Sequence, residues 1–380
     1  MRLCRLRRGL LGSFLGRRSR DQESVAKLRR ELLAWYAENR RDLPWRQTRD
    51  PYAIWVSEIM LQQTRVAVVV ERYRAFLSKF PTVGLLAEAP VEDVLALWSG
   101  LGYYRRARML HQAAQVVAHE LEGEMPATRE GLRALPGIGS YTAAAIASIA
   151  HGEAVAVVDG NVERVLCRVA GWDHDGQTEV KRRIQSLAAE LVDPAQPGDF
   201  NQAMMELGAT VCLPRNPQCL VCPLNVDCKT RGEHKTEPRA QMVSRDAGYA
   251  LAVRTGVRSD DGLGEISEEV LLERRAARET VMPGLWELPT LRDVNVPESD
   301  LRMTVRHAIM QVNYTVRIRA VGEGDVGLLT VACGERRWVA LSEAAGMALT
   351  GLARKVLTRA GLVGVGEGER IPQPRLQEVV

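Results

Sequence analysis

The sequence predicts a multidomain protein, an all-α region followed by a smaller α+β region. Three observations carry that reading. Apolar residues recur at helical spacing from about residue 24 to 209, with Gly and Pro between the segments. Four cysteines then crowd into one loop. Beyond a polar stretch the apolar period shortens, as it does in strands.

Taken in order, the first twenty residues hold seven arginines and no acid. Residues 1–23 read as a disordered basic arm, a targeting peptide or a translated upstream segment. Residues 24–211 form the helical region. Within it Val66, Val69, Val70, Tyr73, Phe76 and Leu77 make one stripe that Pro81 stops. Further helices are expected near 91–98, 107–121, 129–135, 141–150, 162–169 and 180–191. Residues 212–228 hold the cysteine loop, and 229–245 read as a linker with Pro238 inside it. In 246–362, strands are expected over 247–254, 269–274, 313–321 and 336–340, with one helix over 344–360. Residues 363–380 form a Gly/Glu/Pro-rich tail expected to fray.

The 380 residues are 46% hydrophobic and 26% charged, as in ordinary soluble globular proteins. The net charge of +4 points only weakly to an acidic partner. No apolar run approaches the length of a membrane span, so a soluble protein with no membrane partner is expected.

Cys212, Cys219, Cys222 and Cys228 follow the spacing C-x6-C-x2-C-x5-C, with Pro214, Pro217 and Pro223 among them. The prolines exclude a regular helix or strand. Four thiolates this close can surround one tetrahedral metal ion or one cubane cluster. Zinc ribbons usually carry two C-x2-C pairs and this loop has one, so the spacing leans toward a cluster while leaving zinc open. Two disulfides are the alternative, disfavoured because nothing marks secretion. Cys4, Cys167 and Cys333 are isolated and read as small apolar fillers.

The string Leu135-Pro136-Gly137-Ile138-Gly139-Ser140-Tyr141-Thr142 joins two helices. Thr128 can cap the first and Pro136 ends it. Gly137 and Gly139 give a bare, tight turn before a helix N-terminus, which suits a phosphate oxygen and reads no base. An ordinary helix corner is the alternative, and the full Leu-Pro-Gly-Ile-Gly string between two helices favours the backbone-gripping reading over it. A looser echo, Trp98-Ser99-Gly100-Leu101-Gly102-Tyr103-Tyr104, precedes Arg105, Arg106 and Arg108. It suggests a second backbone contact with a ring available to stack on bases. Taken alone, it is better explained as a helix joint with solvated arginines.

Two carboxylates stand out. Asp159 follows the apolar run 154–158 and precedes a helix, where it can serve as an N-cap. Glu58 shares a helical face with Ile54 and Leu61. An acid on an apolar face holds its proton at neutral pH and can act as a general acid. A buried ion pair with an arginine such as Arg46 is the plainer alternative. One protonated and one ionised carboxyl group are what glycosidic bond cleavage requires.

Together these pieces resemble the endonuclease-III, or helix-hairpin-helix, superfamily of DNA glycosylases. Within it the chain is similar to the A/G-specific adenine DNA glycosylases (the MutY family). The strings Leu43-Pro44-Trp45-Arg46, 55–64 around Glu58, Gly100-Leu101-Gly102-Tyr103-Tyr104 and Val158-Asp159-Gly160-Asn161-Val162 carry the match, which spans roughly residues 28–362. The resemblance implies an all-α helix-hairpin-helix glycosylase domain with an iron–sulfur loop, then an α+β Nudix-like domain. It implies one [4Fe-4S] cluster on the four cysteines. It implies a monomer acting on double-stranded DNA with adenine opposite 8-oxoguanine or guanine. The cell compartment would be the cytoplasm (nucleoid) in a bacterium, or the nucleus or mitochondrion in a eukaryote.

By the same resemblance, Glu58 protonates adenine at N7 and Asp159 stabilises the positive sugar or its covalent adduct. Asn161 orients groups at the sugar. Tyr141 stands where bifunctional relatives carry a lysine, so base excision without β-elimination is expected. Gln202 hydrogen-bonds the flipped adenine, and Arg41, Trp45, Arg46, Leu61 and Val66 wall the pocket. Gln63 and Tyr103 wedge into the duplex, with Gln62 and Thr64 nearby. Gly137 and Gly139 hold the backbone. The string Pro283-Gly284-Leu285-Trp286-Glu287-Leu288-Pro289 resembles the Nudix fold, but the acidic metal-binding helix of active Nudix hydrolases is missing. That absence disfavours a nucleotide pyrophosphatase. Where the family reads Phe-Ser-His in a loop that probes 8-oxoguanine, this chain has Val305-Arg306-His307. Arg306 could donate a hydrogen bond in place of the serine, with His307 beside it. Two rival functions are a bifunctional glycosylase/lyase, opposed by Tyr141, and a non-catalytic DNA-binding protein, opposed by Glu58 on its apolar face.

Overall fold

A computed structural model describes residues 18–173, 177–233, 241–258, 265–332 and 334–364. Most of the basic arm, part of the linker and most of the tail lie outside the described residues, as do Cys4 and Cys333. Helix α1 (Arg18–Asn39) begins within the last residues of that arm. The described residues fall into two compact units, residues 1–59 with 116–238, and residues 60–115 with 239–380. None of the described helices is long and apolar enough to cross a membrane.

The helices follow the expected punctuation. After α1 come α2 (Pro51–Leu61), α3 (Val66–Lys79), α4 (Val83–Glu88), α5 (Val91–Leu97), α6 (Arg105–Glu120) and α7 (Arg129–Arg133). Then follow α8 (Ser140–His151), α9 (Gly160–Ala170), α10 (Thr178–Leu191) and α11 (Pro197–Thr210). The caps are the residues that chemistry favours. Thr82 accepts from Leu85 N, Thr128 from Gly131 N and Asp159 from Val162 N. The first unit packs α1, α9, α10 and α11 around Leu32, Val165, Leu166, Phe200 and Leu207, with Cys167 fully buried as filler.

The second unit contains one six-stranded sheet. Its strands are β1 (Val243–Arg258), β2 (Glu265–Arg274), β3 (Trp286–Glu287), β4 (Leu301–Ile309), β5 (Val312–Val321) and β6 (Arg336–Ala340). The order is β3-β2-β1-β5-β4, with β6 on the free edge of β2. Strands β1 and β5 run parallel, and the other pairs are antiparallel. Two expectations need correction. The helix expected over 344–360 is two, α12 (Leu341–Ala344) and α13 (Gly351–Arg359), and the N-cap of α13 is Thr350. The expected probing loop is strand β4, where Val305 pairs with Val316, Arg306 with Thr315 and His307 with Tyr314. Its alternation, with Val305 fully buried and Arg306 exposed, is that of a half-buried strand.

Candidate functional site

Glu58 is buried at 6% exposure on α2, between fully buried Trp55 and nearly buried Ile59. Burial pushes its carboxyl up from 4.5 to about 7, and the Asp159 charge adds to the rise. A hydrogen bond from the Tyr141 hydroxyl and the Arg46 charge pull the other way without prevailing. Tyr141 is the second residue of α8, and its hydroxyl oxygen also lies 3.3 Å from Met205 Sδ. Burial, then the Glu58 and Asp159 charges, hold that phenol well above its ordinary value, so it stays a donor. The first unit therefore brings Glu58, Tyr141 and Asp159 into mutual electrostatic contact.

Asp159 caps α9. One oxygen accepts from Val162 N at 2.8 Å, and the other accepts from Asn161 Nδ2 at 3.0 Å. Asn161 in turn accepts from Arg164 at 2.9 Å, and Arg164 also donates to the carbonyls of Gly208 and Cys212. Gly208 is obligatory there, because a Cβ would lie 2.6 Å from Asn161 Cβ. The apolar run 154–158 is only partly buried, with Val157 alone fully covered. It lies outside any helix or strand, and buried Asn201 supplies backbone partners. Asn201 accepts from Val157 N at 3.0 Å and donates to Val155 O at 2.8 Å. Sequence reasoning missed Asn201, Arg164 and Gly208.

The remaining first-unit residues form a second cluster. Glu206, 1% exposed, accepts from Arg41 Nε and Nη2 and from Arg46 Nη2, all at 2.7 Å, and from Arg41 N at 3.1 Å. These guanidinium groups overcome the burial cost and hold the Glu206 carboxyl at about 2. Arg46 thus pairs with Glu206, not with Glu58. It also stacks over the Tyr36 ring, whose hydroxyl donates to Gln202 Oε1 at 3.2 Å. Trp45 is buried in the short 3-10 turn that delivers Arg46.

At the hairpin, Gly137 has a φ of 75° and both glycines are exposed, while Leu135 and Ile138 are buried beneath. Gly139 is the N-cap of α8 and offers no side-chain acceptor to its first turn. Glu153 closes the hairpin by accepting from Arg129 N at 2.7 Å.

In the second unit two exposed tips share one backbone property. Gln63 has a φ of 56° and Tyr103 a φ of 49°, a region that costs a non-glycine residue energy. Gly100 and Gly102 precede Tyr103 with φ of 93° and 68°. Arg106, expected to face a DNA backbone, is instead the staple of both turns. It donates to the carbonyls of Met60, Gln62, Leu101 and Gly102 and to Thr64 Oγ1. Arg108 is likewise engaged, with Pro283 O at 2.7 Å. Leu61 and Val66 flank the Gln62–Thr64 turn, both partly buried.

The four cysteines line one cleft together with Arg168, Val211 and Asn225. Arg168 donates to Cys212 Sγ at 3.3 Å, and Cys228 Sγ donates to Arg168 O at 3.4 Å. Burial, with the three other thiols adding, pushes the Cys222 thiol up to about 11. The four sulfurs therefore sense one another across one space. Among the described residues no group of three or more His, Cys, Asp or Glu is arranged around a single metal ion. The donor set, four sulfurs with a guanidinium at one of them, fits a soft-metal centre.

Comparison with known proteins follows the same lines. The model for "HhH-GPD superfamily base excision DNA repair protein" matches residues 56–190. A human protein named adenine DNA glycosylase is 53% identical over 222 residues, 56% of this chain and 41% of that one. An Arabidopsis thaliana protein of the same name is 44% identical over 236 residues, 55% of this chain and 37% of that one. The structure of a thermostable thymine-DNA glycosylase superposes with a TM-score of 0.52 at 31% identity, covering 55% of this chain and 97% of that one. The chain spans about two-fifths of the length of those two named relatives.

Proposed function

Because the chain belongs to the HhH-GPD superfamily of base excision DNA repair proteins, we propose that it is a monofunctional adenine DNA glycosylase. Its substrate is double-stranded DNA with adenine opposite 8-oxoguanine or guanine, and it acts as a monomer. One observation carries the reading. Glu58 is a buried acid lifted to about 7, within electrostatic reach of a second carboxyl group.

The chemistry follows from those two groups. The target adenine leaves the base stack at a cost of a few kcal/mol, less at a mismatch. Glu58 transfers its proton to N7, so that the bond electrons depart with a neutral base. The sugar left behind is cationic, and the Asp159 carboxylate stabilises it until water attacks and passes a proton to the Glu58 carboxylate left by the first step. Asn161, held by Arg164, keeps Asp159 aimed. Tyr141 donates to Glu58 and cannot form a Schiff base, so the abasic strand is released uncut. Arg41, Arg46 and Trp45 wall the base pocket and Gln202 contacts the adenine, with Glu206 and Tyr36 fixing their positions. Gln63 and Tyr103 enter the duplex, with Gln62 and Thr64 at their base, while Gly137 and Gly139 hold the phosphate backbone.

Cys212, Cys219, Cys222 and Cys228 would hold one [4Fe-4S] cluster, which braces the loop and supplies no step of the reaction. The sheet of the second unit serves as a Nudix-like reader of the base opposite adenine, through Arg306 and His307.

The test uses duplexes carrying adenine opposite 8-oxoguanine, guanine or thymine, followed by alkaline cleavage of abasic product. Adenine release in the first two, with no adduct trapped by borohydride, is expected. No release from any duplex, or a borohydride-trapped adduct, overturns the proposal.

A further inference from the structure

Within the second unit, helix α13 touches both of the pieces assigned above to opposite jobs. On one side, Lys355 Nζ donates to Arg306 O at 2.9 Å. The His307 ring lies so close to the start of the helix that a Cβ at Gly351 would be 3.4 Å from its Cε1. On the other side, Arg354 Nε donates to Ser99 Oγ at 2.6 Å. Tyr104, 4% exposed, donates its hydroxyl to Leu349 O at 3.0 Å. Ser99 and Tyr104 bracket the glycine turn whose tip is Tyr103, 51% exposed.

The helix itself is firmly seated. Thr350 caps it and donates to the buried Glu287 carboxyl at 2.6 Å. The Arg354 guanidinium is held from behind by the carbonyls of Ala345 and Met347. A side chain fixed at its head and base transmits displacement instead of absorbing it. Ser99 is fully buried and its hydroxyl, besides accepting from Arg354, donates to the Tyr104 hydroxyl, which ties the guanidinium to the residue next to Tyr103.

We propose that Arg354 is a positioning residue that couples the 306–307 edge of the sheet to the Tyr103 tip through α13 and Ser99. The proposal rests on the function proposed above. The identity of the base opposite adenine, sensed at Arg306 and His307, then sets how Tyr103 enters the duplex. Discrimination between 8-oxoguanine and guanine is therefore a property of this linkage as well as of the contact itself.

The experiment measures single-turnover adenine release from adenine:8-oxoguanine and adenine:guanine duplexes by the full chain, Arg354→Met, Ser99→Ala and the double variant. A 2-aminopurine beside the mispair reports unstacking by its fluorescence. In both single variants the 8-oxoguanine preference should fall at least about fivefold, with release opposite guanine within about twofold of wild type and the 2-aminopurine signal reduced. The double variant should lose no more than either single one, because all interrupt one path. Ser99→Ala removes only a hydroxyl and keeps the test open if Arg354→Met folds poorly. Preference unchanged in the variants, or equal loss on both duplexes, overturns the coupling alone. A wild type that releases no adenine overturns the function proposed above and the coupling with it, whereas one that releases adenine equally from both duplexes overturns the coupling alone.

Discussion

Replacing Glu58 by glutamine removes one proton and one pH-dependent energy. The folded protein holds that carboxyl near 7, against 4.5 for the same group in an unfolded chain. Between these values the unfolded chain has lost the proton and the folded one has kept it. The contribution of Glu58 to stability is thus fully present below 4.5 and is lost as pH rises to about 7. A gap of about 2.5 pH units at about 1.4 kcal/mol each comes to about 3 kcal/mol. Glu58→Gln has the same shape and never ionises. From pH 4.5 to 8 the variant should therefore gain about 3 kcal/mol over wild type, read as the difference in urea unfolding curves. Glu287, also lifted to about 7 by burial, is common to both proteins and cancels. Single-turnover release should fall about 100- to 10,000-fold in the variant, the range general acids supply. In wild type it should decline about tenfold per pH unit above 7, as the protonated fraction shrinks. A stability difference that stays flat with pH, or wild-type release undiminished at pH 9, would refute the assignment of Glu58 as a proton-holding acid.

Three more outcomes are expected. Asp159→Asn keeps an acceptable N-cap, so the thermal midpoint should move by only a few degrees while release drops about a thousandfold or more; normal release would remove Asp159 from the chemistry. Glu206→Gln strips Arg41 and Arg46 of their counter-ion and should cost about 3 kcal/mol at neutral pH. Because the Glu206 carboxyl sits at about 2 when folded, its contribution is present above 4.5 and lost as pH falls toward 2; an unchanged acid limb in the variant contradicts this. Gly208→Ala pushes a methyl group against Asn161 and should cost about 1–3 kcal/mol together with a loss of release; full activity would show that Asn161 can move aside freely.

Much of the helical region was legible because its signals are local. Thr128, Pro136 and Asp159 act at their own positions, and the stripe through Phe76 needs no distant partner. Glu58 was legible because one acid on an apolar face has few explanations. Glu206 was not, since its partners Arg41 and Arg46 lie 165 and 160 residues away in the chain. The same distance made Arg46 look available to Glu58. Asn201 could not be read because its role is to serve backbone groups that no pattern marks as unpaired. Strand β4 was misread for a different reason. Its alternation of apolar and polar residues from Leu301 to Ile309 is plain, but the family motif that 305–307 resembles points to a loop and masks it.

Arg106 bears on how this chain can vary. Its single guanidinium fixes the separation of the two projecting tips, since it binds the carbonyls beneath both. The helical excursion between them, α3 to α5, leaves one clasped point and returns to it. That excursion can lengthen, shorten or change surface without moving either tip. One residue inserted at 62 or 101 would instead break the clasp, so tolerance to insertion should collapse abruptly at those two turns.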